Sequence, residues 1–172
     1  MATLPPTAGL SAFLTPLHLE PIGPDRWRLV APLVYASALL DGQVTIPEGW
    51  ETDLESLPRW LPALYALLYG SAHEASVIHD WACTYAAFCV VTPHGITHRV
   101  PVSRAEADGL IYEAMRTPHR PRPENQAAAW KASTVWAGVR AAGWVSWARH
   151  RQRGLRLPWA CGCWAPPVIE EA

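Results

Sequence analysis

Apolar, aromatic and β-branched residues gather early in the chain in three stretches: LHLEPI (17–22), RWRLVAPLVYA (26–36) and GQVTIPEGWET (42–52). Gly-Pro, Asp-Gly and Pro-Glu-Gly turn signals separate them, a pattern that predicts two or three antiparallel strands. After Pro58 the pattern changes. WLPALYALLYG (60–70) predicts a short apolar helix closed by Gly70. Ser71-Ala-His-Glu74 has the spacing of a capping box, which predicts a second helix through about Phe88. CVVTPHGITHRVPV (89–102) predicts an inserted loop or short hairpin, and Ser103-Arg-Ala-Glu106 opens a further helix to about Arg116. TPHRPRPEN (117–125) holds three prolines and predicts a linker. A last helix is expected from about Gln126 to His150, with Trp136, Arg140, Gly143 and Trp147 along one side. The expected fold is therefore α+β: a small antiparallel sheet of two or three strands at the N-terminus, followed by about four helices. Residues 1–16 form an extended Pro-rich arm, 17–150 a single domain and 151–172 an extended tail. There is no internal repeat.

Composition sharpens this picture in three ways. At 172 residues and 50% hydrophobic, the chain can build one sizeable core. No apolar run has the length of a membrane span, and the N-terminus lacks the charged start and apolar stretch of a secretory signal, so no membrane partner and a cytoplasmic origin are expected. The ten tryptophans are an excess that suits interfaces as well as cores. Cys83 and Cys89 are expected to pack as small hydrophobes, and the lone Cys161-Gly-Cys163 pair is a weak metal signal. Charge is segregated. Residues 116–156 hold nine bases against the single acid Glu124, whereas the remainder holds five bases against fourteen acids. The asymmetry fits either an acidic partner such as nucleic acid or two halves that complement each other within one assembly.

Three short segments carry candidate chemistry. They are Thr52-Asp53-Leu-Glu-Ser56-Leu-Pro-Arg59, His79-Asp80 within an apolar helix, and Ser103-Arg104-Ala-Glu-Ala-Asp108 at a helix start. Each sets a carboxylate among apolar neighbours, where a charge is costly unless it is paired or bound to metal. His79 and Asp80 are about 100° apart on a helix and can edge one cavity. Two readings stay open. In one, Asp53, His79, Asp80 and Asp108 hold Mg, Mn, Fe or Zn and supply a hydroxide for hydrolysis. In the other they form a buried polar network, with Asp53 capping the helix after Pro58, Arg59 paired to Asp80 or Asp108, and His79 on a backbone carbonyl. Thr52, Ser56, Arg59 and Arg104 support the site in either case.

In order along the chain, Ile46-Pro-Glu-Gly-Trp-Glu-Thr-Asp53, Ser56-Leu-Pro-Arg59, Ala75 four residues before His79-Asp80, Ser103-Arg-Ala-Glu-Ala-Asp108, Ala114-Met115 and Gly143-Trp144 resemble the phage-borne domain-of-unknown-function family 1353. The resemblance covers roughly residues 15–147. Glu55 and Leu57 depart from its pattern, and the stretch from about 86 to 102 is an insertion relative to shorter members. The resemblance implies a phage or prophage origin and carries no activity. With the Trp excess, the Pro-rich ends and the segregated charge, it leads to the expectation of a tailed-bacteriophage accessory protein. Such a protein is made in the host cytoplasm, joins the virion at the tail and contacts other virion proteins. Nucleic acid is a further expected partner through basic residues 116–156. The alternative is a metal-dependent hydrolase of cell-wall or nucleotide substrates.

Overall fold

The computed structural model describes residues 11–54, 72–118 and 127–154. Among these residues, eight strands form two antiparallel sheets. The larger holds β1 (Ala12–Phe13), β4 (Leu33–Ser37), β5 (Gly42–Ile46), β7 (Ala87–Val91) and β8 (Thr97–Pro101) in the order β1-β4-β5-β7-β8. The smaller holds β2 (Leu19–Gly23), β3 (Arg26–Leu29) and β6 (Glu51–Thr52) in the order β2-β3-β6. Three helices lie among the described residues: α1 (His73–Tyr85), α2 (Arg104–Arg116) and α3 (Ala129–Gly154).

This overturns the small N-terminal sheet of two or three strands followed by about four helices. Two of the three strand-like stretches each break into a pair of strands that belong to different sheets. RWRLVAPLVYA splits at Pro32, which has no N–H for a ladder. GQVTIPEGWET splits at Pro47-Glu48-Gly49, where Gly49 takes φ 81°, a left-handed conformation that favours glycine. The 89–102 segment is indeed a hairpin, but it is integral to the larger sheet. Val44 of β5 pairs with Val90 of β7, and β8 closes the edge. Gly42 permits this docking, since a Cβ there would lie 2.6 Å from Val90 Cγ1.

The ends of the helices also differ from expectation. α1 begins after Ala72 without a side-chain cap and stops at Ala86, whose φ of 50° is left-handed, so Ala87 and Phe88 go to β7 instead. α2 matches its sequence signal, and the Ser103–Glu106 capping box is complete in both directions. α3 runs past His150 to Gly154. Among its described side chains, the buried ones are Ala132, Val135, Val139 and His150, a stripe at helical spacing, whereas Trp136 is exposed. The expected helix over 60–70 and most of the expected linker lie outside the described residues.

The core lies between the larger sheet and the helices, with Phe13, Tyr35, Val44, Ile46, Ile78, Leu110, Ile111 and Met115 all but inaccessible. Phe13 belongs to the stretch expected to be an extended arm; it stacks on Tyr35 with centroids 4.7 Å apart and is part of the core cluster. Cys83 packs as a free, buried thiol, but Cys89 is disulfide-bonded and not a simple small hydrophobe. No helix among the described residues is long and apolar enough to cross a membrane.

Candidate metal centre

α1 is buried on nearly every side, from Ala75 through Tyr85, because α2, α3 and the sheet surround it. Two consecutive polar residues, His79 and Asp80, therefore lie inside the protein, 3% and 1% exposed. Being about 100° apart on the helix, they face different neighbours. The three acids and one histidine singled out from the sequence are thereby divided into two clusters that share α1.

On one side of α1, Asp80 meets the turn after β6. Thr52 Oγ1 donates to Asp80 Oδ2 at 2.6 Å and accepts from the backbone N–H of Leu54 at 3.1 Å. Leu54 is buried yet has φ 53°, an uncommon conformation for a branched residue. The Thr52 hydroxyl thus fixes a bend that brings Asp53 round towards Asp80. α3 supplies the third member, His150. One ligand atom each of Asp53, Asp80 and His150 lies within 4.8 Å of the other two.

Local hydrogen bonds orient the imidazole. Thr84 Oγ1 donates to the Asp80 carbonyl at 2.8 Å, one turn back along α1, which uses its only hydrogen. The hydroxyl must then accept from His150 Nδ1–H, 3.2 Å away. That leaves Nε2 as the nitrogen facing the acids, with Asp53 Oδ1 at 3.8 Å. A metal-ligating histidine is commonly held in this way, through a hydrogen bond on the other ring nitrogen.

On the neighbouring side of α1, His79 Nε2 lies 3.2 Å from Asp108 Oδ1, and Arg140 donates to Asp108 Oδ2 at 3.0 Å. Arg104 donates to the Arg140 carbonyl at 3.4 Å. These bonds join α1, α2 and α3. Cys83 Sγ lies 3.7 Å from His79 Nδ1 and 3.8 Å from Nε2. A sulfur equidistant from both nitrogens lies along neither in-plane lone pair. Burial, reinforced by Asp80 and Asp108, pushes the thiol far above its ordinary range. The Cys–His–Asp proximity is therefore packing and not a nucleophilic relay.

The two buried aspartates differ electrostatically. Burial pushes the Asp80 carboxyl above its ordinary value; His150 opposes the shift and Asp53 adds to it, while the Thr52 hydrogen bond and His79 oppose it further. Burial acts on Asp108 too, but the hydrogen bonds of His79 and Arg140, with the charges of His79 and Arg104, outweigh it and hold that carboxyl below its ordinary value. Asp108 is neutralised by cations of the chain, whereas Asp80 faces a second carboxylate.

Of the residues expected from the sequence, Asp53 and Asp80 share one cluster with Thr52 as support, and His79 and Asp108 share the other with Arg104 beside it. Ser56 and Arg59 lie outside the described residues. The sequence reading missed His150, and also Arg140 as the partner of Asp108. His150 continues the buried stripe of α3, eleven positions after Val139, and that spacing was the available signal.

The family model for the protein of unknown function DUF1353 matches residues 27–139. This chain belongs to that family. A DUF1353 domain thus supplies Asp53, Asp80 and Asp108, while His150 lies beyond the matched span. Searches of curated proteins and of solved structures give no significant match.

Proposed function

We propose that the protein binds a divalent cation through Asp53, Asp80 and His150 and acts as a metal-dependent hydrolase. The observation that carries this reading is the convergence of two carboxylates and an imidazole nitrogen within 4.8 Å of one another, from three separate elements. Two ligand atoms bound to one ion at about 2.1 Å each sit roughly 3 to 3.5 Å apart, so the 3.8 Å between His150 Nε2 and Asp53 Oδ1 needs only a small contraction. The donor set of two oxygens and one nitrogen suits Mn, Fe or Zn and is also open to Mg. A cation also answers the electrostatics, since it would favour ionised Asp80 beside Asp53. Thr52 and Thr84 each hold one ligand in place, and Asp53, partly exposed at 21%, gives the centre a side towards solvent. A bound ion of this kind supplies a hydroxide nucleophile at neutral pH. The test is metal-dependent turnover of cell-wall fragments and nucleotides, with Asp80→Asn as control. Turnover that survives EDTA, or that Asp80→Asn leaves intact, overturns the reading.

A second reading is assembly into a tailed-phage virion. It is supported by three exposed indoles on α3, Trp130, Trp136 and Trp144, at 53%, 43% and 66% exposure. At about 100° per residue these three fall within roughly one third of the helix circumference, a face suited to a neighbouring protein. α3 also carries Lys131, Arg140, Arg149, Arg151 and Arg153 and no acid, which keeps nucleic acid as an alternative partner. Mass spectrometry of purified particles from a lysogen carrying the gene tests assembly. Absence from the particles counts against it.

A further inference from the structure

We infer that Asp108 and Arg140 form a positioning clamp for the metal centre, setting the height at which α3 presents His150. The inference rests on the metal-centre reading above. His150 is delivered by α3, a 26-residue helix, so its position depends on how α3 is fixed along its own axis. Apolar packing by Ala132, Val135, Val139 and Trp147 holds α3 against the core but is not directional. Directional bonds fix it better, and α3 makes them at two levels. Arg140 is tied to Asp108 at 3.0 Å, and its carbonyl accepts from Arg104 at 3.4 Å. Ten residues on, about 15 Å along the axis, His150 is tied to Thr84 and the Arg151 guanidinium donates to the Thr84 carbonyl at 3.2 Å.

The clamp reaches the centre by a short covalent route. Asp108 Oδ1 accepts from His79, and the next residue is the ligand Asp80. One carboxylate therefore references both α1, which carries Asp80, and α3, which carries His150. Arg104 and Asp108 both come from the α2 start that the capping box fixes. The two clusters divided by α1 are thus a centre and the frame that sets its ligand spacing. Arg140 and Asp108 are positioning residues, since neither touches the three ligating atoms.

The test is Mn²⁺ affinity, measured by calorimetry and by electron paramagnetic resonance, on the full chain and three variants. Arg140→Gln removes the charge-assisted tie but leaves Asp108 bonded to His79, so the fold is retained. Arg140→Lys retains a cation at that position. Val139→Ala is a control that loosens the same stripe and keeps the clamp. Loss of an outer-shell partner commonly weakens metal binding by about 10- to 100-fold. Arg140→Gln is expected to weaken Mn²⁺ by roughly tenfold, Arg140→Lys to restore most of that loss, and Val139→Ala to lower the melting temperature with affinity unchanged. Wild-type affinity in Arg140→Gln overturns the clamp while leaving the metal centre standing. An equal loss in Val139→Ala overturns it as well, by showing that any loosening of α3 suffices. Failure of the unaltered protein to bind Mn²⁺ or Zn²⁺ overturns the metal-centre reading, and the clamp with it.

Discussion

Asp80 and Asp108 are both 1% exposed, both lie on helices and both sit against α1 or within it, yet their surroundings push their carboxyls in opposite directions. Asp108 is met by His79 and Arg140, and Arg104 lies close by. The neighbours of Asp80 include the Thr52 hydroxyl, the Asp53 carboxylate and the His150 imidazole. The comparison separates two uses of a buried acid. One is neutralised within the chain and holds helices together. The other is buried beside a second carboxylate, with its carboxyl pushed above its ordinary value, a setting that a divalent cation would relieve.

The comparison is broken most directly by removing the neutralised acid. Asp108→Ala strands His79 and Arg140 and is expected to cost about 3 kcal/mol, at the low end for a broken buried pair because the Arg140 side chain is 39% exposed and can turn to water. Chemical denaturation in EDTA checks this. Asp80→Asn in the same buffer is expected to cost under about 1 kcal/mol, since the amide keeps an acceptor for Thr52 and removes a charge that burial disfavours. Equal losses in the two variants erase the distinction.

Metal loading sharpens the contrast from the other side. Zn²⁺ or Mn²⁺ at a hundredfold excess over Kd is expected to stabilise the protein by about 2.7 kcal/mol. Asp80→Asn should lose that gain, whereas Cys83→Ala should retain it. A melt of Asp80→Asn that responds to metal as the unaltered protein does places the ion elsewhere.

The two acids should also respond to pH with opposite sign. Asp80, facing Asp53, His150, Thr52 and His79, has a folded value above its ordinary 3.8, so protonation favours the fold. Its contribution to the metal-free protein is complete below that value and is lost as pH rises through the raised one. Asp108, facing His79, Arg140 and Arg104, has a folded value below its ordinary 3.8. Its contribution is present above the ordinary value and is lost as pH falls through the lowered one. Denaturant midpoints followed across acidic and neutral pH should therefore lose their high-pH decline in Asp80→Asn. Metal affinity should rise with pH across the same window. A pH profile unchanged by Asp80→Asn removes Asp80 as the source.

The smallest effect is expected at Cys83. Its thiol packs on His79 without an in-plane hydrogen bond, so Cys83→Ala should cost no more than about 1 to 2 kcal/mol of packing and leave metal binding unchanged. Loss of metal binding in Cys83→Ala brings the sulfur into the centre and revises the ligand set.

The sequence by itself determined what is local. The Ser103–Glu106 capping box, the apolar identity of α1 and the requirement that Asp53, Asp80 and Asp108 find partners all follow from residue type and short-range spacing. Tertiary structure decided what depends on distant chain. Whether 26–36 and 42–52 were single strands or pairs belonging to two sheets was decided by which partner each half met, and short strands carry no record of that partner. That Ala86 ends α1 was decided by β7 joining the sheet, against the helical preference of alanine. His150 is 97 positions from Asp53 in sequence, and it becomes a member of the centre only because α3 packs along α1. Side-chain chemistry fixes that a buried acid must find partners; the packing of three helices brings Asp108 to Arg140 and Asp80 towards Asp53 and His150.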